Sequence, residues 1–303
     1  IGIAVVEGMT DRKKFLKQAD IALYKAKESG RNQYRFYTSE LNRDAHLMMS
    51  LRQSVKASVE EDFSIVFQPW VDAANGQVIG IEAFTRWNTD AGNNVSPTVF
   101  LKQIEESGLI VEFSRWLFDQ VFRQSQQWRK QMESGLKISI NLSERQFLCD
   151  ELTNEITHLV HKYGLSPSWF VLEVKEKALL ADPEKATTAL NSLHREGFSI
   201  HLDDFGTGYS ALMHLQNMPI NCIKIDHSCV ADLMSVDSKQ RVMNAVLRLA
   251  DSLEIGVIAE GVEDKDTSDW LLEHGCVLQQ GFLFSPAVEP VEISGILEAL
   301  SVK

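Results

Sequence analysis

Residues 201–210 read HLDDFGTGYS, a strand that passes into a carboxylate pair and a glycine-rich turn. The preceding residues 199–202 have the apolar character of a buried strand, and Asp203 and Asp204 follow at its end. Two glycines turn the chain there, and Ser210 is positioned to cap a helix. Adjacent aspartates repel each other, and one bridging carboxylate holds two divalent ions about 4 Å apart in many sites. An isolated Asp-Asp pair is more often a solvated turn. Whether this pair indicates a metal site therefore depends on how the other strands end.

The composition predicts a globular protein of a reducing compartment. The chain has 303 residues, of which 44% are hydrophobic and 24% charged, as in folded chains with a large core. Four cysteines form no CxxC pair, and three lie in apolar surroundings, so we expect free thiols in the cytoplasm. No apolar run approaches the roughly 20 residues of a membrane span. Residue 1 resembles the middle of a strand, which leaves an upstream membrane anchor open.

The net charge is −12. Such a charge disfavours general binding of DNA or RNA through phosphates. If the ligand is an anion, local cations must offset the field of the acidic protein, which again indicates a metal ion.

The N-terminal residues have a pattern of their own. Local patterns predict a strand, a helix, a closing strand and a second helix, at residues 1–6, 11–29, 32–37 and 39–59. We therefore expect a small α+β fragment over residues 1–38 and a linker helix over residues 39–61. The apolar stripe of the second helix is most simply packing, and a signalling linker or a short coiled coil stays open.

From residue 62 to residue 303 the pattern alternates between strands and helices. Eight strands are predicted, at residues 63–72, 78–87, 137–143, 170–176, 199–205, 222–227, 256–262 and 276–285. Helices are predicted between them, at residues 111–133, 145–163, 184–196, 238–253 and 264–274. This order predicts an α/β fold, a modified TIM (β/α)8 barrel. The first two strands are joined through Asn75-Gly76, a hairpin signal, so the first strand is expected to be antiparallel. The alternative, an open doubly wound sheet, lacks a GxGxxG fingerprint.

Polar side chains stand where the apolar strands stop. Period-two alternation lets seven of them face the barrel axis: Glu82, Asn141, Glu173, Asp203, Lys224, Glu260 and Gln280. Each alone is most simply structural, but seven strands ending this way together predict a site for Mg²⁺ or Mn²⁺. No histidine cluster supports zinc: His158 and His161 suit a solvated helix face, and His201 suits a hydrogen bond in the barrel interior.

These residues carry a family resemblance. Glu82-Ala83-Phe84 stands where EAL domains, the cyclic di-GMP phosphodiesterases, have Glu-Ala-Leu. Further matches are FQP at 67–69, RW at 86–87, NLS at 141–143, ExxE at 173–176, DDFGTGYS at 203–210, KID at 224–226, AEGVE at 259–263 and QGF at 280–282. Residues 1–37, notably ADIALYKAKESGRNQY at 19–34, resemble the C-terminal end of a GGDEF domain, whose signature and nucleotide-binding half are missing.

The resemblance implies two-metal hydrolysis of cyclic di-GMP to linear pGpG. The first ion would be held by Glu82, Asn141, Glu173 and Asp203. Asp203 and Asp204 would hold the second, with Glu260 assisting through water. Lys224 would orient or deprotonate the attacking water. Substrate would be bound or positioned by Gln68, Arg86, Asp226 and Gln280, and Glu176 would support the loop after Asp204.

Two residues depart from the family pattern. Phe84 replaces leucine, and Lys175 stands where the family usually has threonine. Alternation puts Lys175 on the face of Glu173, so its ammonium either competes with a divalent ion or extends into solvent. Because every implied ligand is present, an active enzyme is favoured over an inactive receptor or an interaction module. A homodimer through the loop after Asp204 and the neighbouring helix is expected.

Overall fold

The computed structural model describes residues 1–5, 12–28, 32–57, 59–88, 94–143, 146, 152–206 and 218–300. The chain forms two compact units. One consists of residues 1–62 and 98–109, and the other of residues 63–97 and 110–303. The predicted cap at Ser210 and the end of the DDFGTGYS motif lie outside the described residues.

The smaller unit contains a two-stranded parallel sheet. Strands β1 (Gly2–Ile3) and β2 (Arg35–Phe36) pair with each other, and helix α1 (Arg12–Glu28) connects them. Gly2 packs so closely on α1 that an added Cβ would lie 2.2 Å from the Ala19 carbonyl oxygen. The expected helix after this sheet is also present, as α2 (Ser39–Ala57), followed by a single turn, α3 (Val59–Asp62). The strands are shorter than predicted, while both long helices agree with the sequence.

The larger unit is built on a closed barrel of eight strands. Their bounds are β3 Phe63–Asp72, β4 Gln77–Asn88, β6 Lys137–Leu142, β7 Phe170–Lys175, β8 Ser199–Phe205, β9 Cys222–Ile225, β10 Gly256–Ala259 and β11 Leu278–Gln280. A two-residue strand, β5 (Asn94–Val95), lies against β4 outside the barrel ring. The order around the ring follows the chain, and pairing of β3 with both β4 and β11 closes it.

The antiparallel first strand is confirmed. β3 pairs antiparallel with β4 and with β11, whereas the other neighbours in the ring are parallel. The turn between β3 and β4 contains Gly76 at φ 75°, where a glycine backbone is unstrained. The closed ring excludes the alternative of an open doubly wound sheet, which would leave two edge strands unpaired.

The remaining helices are α4 Pro97–Ser107, α5 Ile110–Ser125, α6 Arg129–Glu133, α7 Leu152–Lys162, α8 Glu176–Ala181, α9 Pro183–Arg195, α10 His227–Val230, α11 Asp237–Ser252, α12 Lys265–Glu273 and α13 Pro290–Leu300. Local chemistry starts several of them. Asp182 accepts a hydrogen bond from the Lys185 amide, with Pro183 in the first turn, and Asp264 accepts one from the Thr267 amide.

The helices of the larger unit cover the outside of the barrel with apolar side chains. One buried cluster joins strands β9 and β10 to helices α11 and α12, and contains Ile225, Val230, Leu233, Met243, Leu247, Ala259, Val262, Leu271 and Cys276. On the other side, Phe67 meets Trp128 edge to face, and the Trp128 indole donates to the Ser294 hydroxyl at 2.8 Å. Burial of these faces fixes which side of each strand is left to line the barrel interior.

Several predicted elements need correction, among them the strand expected over 256–262, which ends at Ala259. The helix expected over residues 111–133 is interrupted by a tight turn at Gln126–Trp128, which aims Trp128 at Ser294. The last strand covers three residues rather than 276–285, because the chain turns at Gly281, where an added Cβ would lie 2.0 Å from the Val262 carbonyl oxygen. The sixth strand ends at Ile225 rather than at residue 227, because Asp226 caps α10.

The floor of the barrel interior is aromatic. The Trp70 indole packs onto Gly80, where an added Cβ would lie 2.1 Å from the ring. His201 is buried with its ring edge-on to Trp70, 6.2 Å between centroids. Its Nδ1 has no hydrogen-bond partner among the described residues. Burial lowers the pKa of His201 to about 3, assisted by the Lys224 charge.

Other expectations concern the surface and the thiols. His158 and His161 are exposed on α7, as predicted. Cys222 and Cys276 are buried and Cys229 is half-buried, all as free thiols, while Cys149 lies outside the described residues. Across the part of the chain that the structure describes, no helix has the length and apolar character that a membrane crossing requires.

Candidate functional site

The carboxyl ends of the parallel barrel strands deliver a charged cluster around Lys224. This lysine lies on β9, and its side chain is 1% exposed. Its Nζ lies 2.6 Å from Glu82 Oε2, 3.0 Å from Glu173 Oε2 and 2.6 Å from Glu260 Oε1. The three carboxylates come from β4, β7 and the residue after β10, so one ammonium ties together strands that are far apart in the chain. We call Lys224, Glu82, Glu173 and Glu260 the lysine cluster.

Glu82 connects the lysine cluster to three amides. Asn141 Nδ2 donates to Glu82 Oε1 at 2.8 Å, and Gln280 Nε2 donates to Glu82 Oε2 at 3.0 Å. The same Gln280 amide reaches Gln68 Oε1 at 3.3 Å. Gln68 faces Glu82 across the β3–β4 ladder and donates to the carbonyl of Ser285 at 3.0 Å. The barrel therefore brings Gln68, Glu82, Asn141, Glu173, Lys224, Glu260 and Gln280 into one hydrogen-bonded network.

Two neighbouring carboxylates of the lysine cluster, Glu82 and Glu173, have pKa values that are shifted in opposite directions. Burial favours the neutral form of Glu82, but the charge of Lys224 outweighs it and lowers the Glu82 pKa. Burial, with repulsion from Glu82, raises the pKa of Glu173 well above its ordinary value. Burial also opposes the charge on Lys224, but the surrounding carboxylates raise its pKa well above the ordinary value. The ammonium is therefore a fixed cation.

Two further carboxylates of the mouth have raised pKa values. Burial raises the pKa of Glu260 to about 7, against the opposing charge of Lys224 and with repulsion from Asp203 and Glu82. Burial likewise raises the pKa of Asp203, again with repulsion from Glu82. Negative charge is thus in excess here: with all groups ionised, four carboxylates face the single ammonium of Lys224.

The rim of the mouth has a second ion pair, Lys175 with Asp204. Lys175 ends β7, and its Nζ lies 2.6 Å from Asp204 Oδ2. Asp204 has φ 56°, in the left-handed region, and the pairing of β8 with β9 is irregular between Leu202 and Phe205. Burial opposes the charge on Lys175, but the hydrogen bond and charge of Asp204 outweigh it and raise the Lys175 pKa. The sequence left open whether this ammonium faces the carboxylates or extends into solvent. In the structure it binds Asp204, one of the predicted metal ligands.

Three further predicted site residues lie outside this network. Arg86 donates to the Thr85 carbonyl at 3.0 Å, with its guanidinium 5.8 Å from the centroid of the Phe84 ring. The Asp226 carboxylate accepts from the Ser228 amide at 3.0 Å, as the cap of α10. Glu176 is buried at the start of α8, and the loop it was expected to support lies largely outside the described residues.

The donors at the mouth fit a hard divalent cation in their chemistry. They are carboxylate and amide oxygens, which Mg²⁺ and Mn²⁺ prefer. Glu173 Oε1 and Gln280 Oε1 are buried without a hydrogen-bond partner among the described residues. An excess of buried negative charge and unpaired oxygen atoms is what a cation would satisfy. By this test, the residues fit the metal that the sequence predicts.

In the structure, however, these donors are arranged around the Lys224 ammonium. Within the described ranges, no group of three or more His, Cys, Asp or Glu side chains is arranged to hold a metal ion. The physical reason is that the Lys224 ammonium lies among the three glutamates and draws their oxygens to itself. A divalent ion would have to take at least one of these carboxylates from the lysine.

One contact at the site was not predicted from the sequence. The Ser285 carbonyl orients Gln68, and Ser285 follows the turn that replaces the end of the predicted last strand. A backbone acceptor carries no signal in residue type, so only the fold reveals it.

Comparison with known proteins agrees with the fold and the motifs. The family model described as EAL domain matches residues 50–287. A bifunctional diguanylate cyclase/cyclic di-GMP phosphodiesterase, MucR of Pseudomonas aeruginosa, is 34% identical over 93% of this chain and 42% of its own length. The cyclic di-GMP phosphodiesterase PdeR of Escherichia coli is 32% identical over 96% of this chain and 44% of its own length. The chain thus spans less than half the length of these two relatives.

Solved structures extend the similarity to three dimensions. A structure titled PaMucR phosphodiesterase, c-di-GMP complex, has a TM-score of 0.77 at 31% identity, covering 82% of this chain and 99% of that one. The EAL enzyme Bd1971, in a form bound to cAMP and cyclic di-GMP, has a TM-score of 0.81 at 28% identity, covering 95% of this chain and 77% of that one. The family model, the relatives and the barrel agree, and the chain belongs to the EAL domain family, related to cyclic di-GMP phosphodiesterases.

Proposed function

We propose that this chain hydrolyses one phosphodiester bond of cyclic di-GMP to give linear pGpG, with the help of divalent cations. The observation that carries the proposal is the excess of carboxylates over the single ammonium of Lys224 at the barrel mouth, with Glu173 Oε1 buried and without a partner among the described residues. Barrel enzymes have their chemistry at this end. Relatives named as phosphodiesterases and a related structure in complex with cyclic di-GMP support the choice of substrate.

The reaction is the addition of water across a P–O bond. Water oxygen attacks phosphorus, the bond from phosphorus to the 3′ oxygen breaks, and that oxygen takes up a proton to become a hydroxyl. When bound, divalent ions supply Lewis-acid chemistry that neutralises charge on the phosphoryl oxygens and favours a nucleophile at neutral pH. The protein must therefore hold the ions, orient the phosphate and manage protons.

We assign the ions to the carboxylates implied by the family resemblance. Glu82, Asn141, Glu173 and Asp203 would hold one ion, and Asp203 with Asp204 the other, assisted by Glu260. What supports the first set is that Asn141 and Glu82 are already hydrogen-bonded to each other and Glu173 has an unpaired buried oxygen atom.

Lys224 is proposed to orient the attacking water rather than to deprotonate it. Without metal, the three surrounding carboxylates raise its pKa and keep it an N–H donor. An N–H group that a carboxylate gives up to a divalent ion could then donate to the water. Gln280 and Gln68 would position the substrate through the amide chain that reaches Glu82. Arg86 and Asp226 would contact the ligand at the rim, and Glu176 would support the loop after Asp204.

A second candidate is a receptor that binds cyclic di-GMP without turnover. The observation that favours it is the placement of Lys224 in the centre of the carboxylates, where its ammonium competes with a metal ion. The two candidates share the ligand and differ in whether a divalent ion takes carboxylates from the lysine.

Residues 1–38 are proposed to belong to the C-terminal part of a GGDEF domain, followed by a linker over 39–61. A match that includes 93% of this chain to a bifunctional relative supports this. A homodimer through the loop after Asp204 also remains our proposal. A strictly monomeric chain with full activity would refute the homodimer.

The test of the proposed function is incubation of the purified chain with cyclic di-GMP and either Mg²⁺, Mn²⁺ or EDTA, followed by separation of the products. Linear pGpG should form with metal and not with EDTA. The matched control is Glu82→Gln, which keeps the side-chain shape but removes a charge from the lysine cluster. Tight ligand binding without product in either metal would establish the receptor, and absence of binding would reject both.

A further inference from the structure

Two lysines pair with carboxylates at the barrel mouth, and the second, Lys175, is placed differently from Lys224. Lys175 binds Asp204 at 2.6 Å on the rim, apart from the three partners of Lys224. The two side chains are 44% and 35% exposed, so water reaches both members of the pair. An ion pair that is open to water exchanges its partners easily.

The backbone brings this pair to the metal carboxylates. In the β7–β8 ladder Lys175 lies opposite Asp203, and the next residue, Asp204, is turned by its positive φ where the ladder becomes irregular. Lys175 is thereby next to both members of the aspartate pair, with its ammonium on Asp204. Lys175 thus pairs with Asp204 on the rim, as Lys224 pairs with the three glutamates in the interior.

We propose that Lys175 is a tethered counter-ion of Asp204, which a divalent cation must displace before the second cation position is filled. This rests on the proposed function, in which Asp204 helps to hold the second ion. A cation that approaches the lysine cluster must take a carboxylate from Lys224, whereas one that approaches Asp204 competes with Lys175. Removal of the Lys175 charge should therefore tighten the binding of the ion at Asp204 and leave the binding of the other ion unchanged.

Displacement also has a consequence for an anionic ligand. The side chain of Lys175 is flexible, and its ammonium, once released from Asp204, stays within reach of the mouth. A released ammonium attracts phosphate, so the second ion and the ligand should favour each other's binding.

The test is a Mn²⁺ titration without nucleotide, in which free Mn²⁺ is followed by electron paramagnetic resonance. Lys175→Met removes the charge and keeps an unbranched side chain, and should tighten one of the two binding events by about two- to fivefold, the scale of an exposed ion pair. The other event should not change. Lys175→Arg, which restores a cation, should bind Mn²⁺ as the wild type does.

The matched control is Lys177→Met. Lys177 is an exposed lysine two residues further on, in α8, so its loss changes the net charge equally. Equal tightening in Lys175→Met and Lys177→Met would mean a general effect of charge and would overturn the proposal. So would an unchanged titration in Lys175→Met, or no Mn²⁺ binding in any variant.

Turnover separates this proposal from the function on which it rests. If Lys175→Met tightens Mn²⁺ binding while the wild type forms no pGpG, the counter-ion role stands and the phosphodiesterase assignment fails. If turnover is metal-dependent and the titrations of wild type and Lys175→Met coincide, the function stands and the counter-ion role fails.

Discussion

The interior of the barrel mouth and its rim both pair a lysine with carboxylates, but with opposite exposure. Lys224 is almost completely buried and bound to three carboxylates, whereas Lys175 is 44% exposed and bound to Asp204. Removing one partner of a buried ion pair leaves an uncompensated charge in a medium of low polarity, while water compensates an exposed one. The two lysines therefore have the same charged group but different roles. Lys224 holds the carboxylates of the site together, and Lys175 is the one that we propose to exchange its partner.

The largest effect is expected from Lys224→Met. Without the ammonium, two buried glutamates and a partly buried third face one another, so the free energy of unfolding in EDTA should fall by about 3–5 kcal/mol. Denaturant unfolding followed by circular dichroism measures this. Lys177→Met, on an exposed lysine, is the control and should leave stability nearly unchanged. A loss below about 1 kcal/mol for Lys224→Met would contradict the difference between interior and rim.

The next effect concerns the pH dependence of the metal-free protein. The pKa of Glu260 is raised from 4.5 to about 7, so between these values the folded protein keeps a proton that the unfolded chain releases. Stability from this group therefore falls as the pH rises through the window, by at most about 1.4 kcal/mol per pH unit. Glu260→Gln should flatten this part of the stability curve. The control is Glu273→Gln, on an exposed carboxylate of α12.

Stability curves for Glu260→Gln and wild type that run parallel from pH 4.5 to pH 7 would contradict the raised pKa. Saturating Mg²⁺ should reduce the difference, because a divalent ion holds carboxylates in the ionised form.

The Glu82→Gln substitution should lower turnover, with a smaller effect in free energy. Glu82 accepts hydrogen bonds from Asn141, Gln280 and Lys224, and an amide at this position removes the charge from their shared partner. Turnover of cyclic di-GMP should fall by about a hundredfold or more, equivalent to about 3 kcal/mol. Asp203→Ala should be more severe if that residue serves both ions. Glu273→Gln should turn over as the wild type does, and near-normal rates in Glu82→Gln would remove Glu82 from the site.

The smallest effect is expected on stability from Lys175→Met. Its ion pair with Asp204 is half exposed, so its loss should cost no more than about 1 kcal/mol of unfolding free energy. A double-mutant cycle with Asp204→Asn measures the coupling directly. A coupling energy as large as that of the buried cluster would mean that the rim pair is structural.

The sequence predicted the barrel because its signals are periodic and local. Alternation identified the strands and the inward side chains, and the turn at Asn75-Gly76 predicted that β3 and β4 are antiparallel. The same alternation assembled Glu82, Glu173, Lys224 and Gln280 at one end of the barrel before any contact was known.

What the sequence could not predict depends on tertiary partners. The interruption of the long helix at Gln126–Trp128 serves a contact of Trp128 with Ser294, 166 residues later. The position of Asp204 depends on a left-handed backbone at a non-glycine residue, which residue type does not reveal. Alternation likewise indicates that Lys224 faces inward but not which three carboxylates its ammonium contacts.

The measurement that tests the central claim most directly is anomalous diffraction from crystals grown with Mn²⁺ and cyclic di-GMP. The claim is that the carboxylates around Lys224 are a cation site that serves the phosphate of the ligand. The predicted result is a Mn²⁺ peak bonded to oxygens of Glu82 and Glu173, with a ligand phosphate next to it. A ligand bound at the mouth while Lys224 keeps all three glutamates, with Mn²⁺ elsewhere on the protein, would contradict the claim.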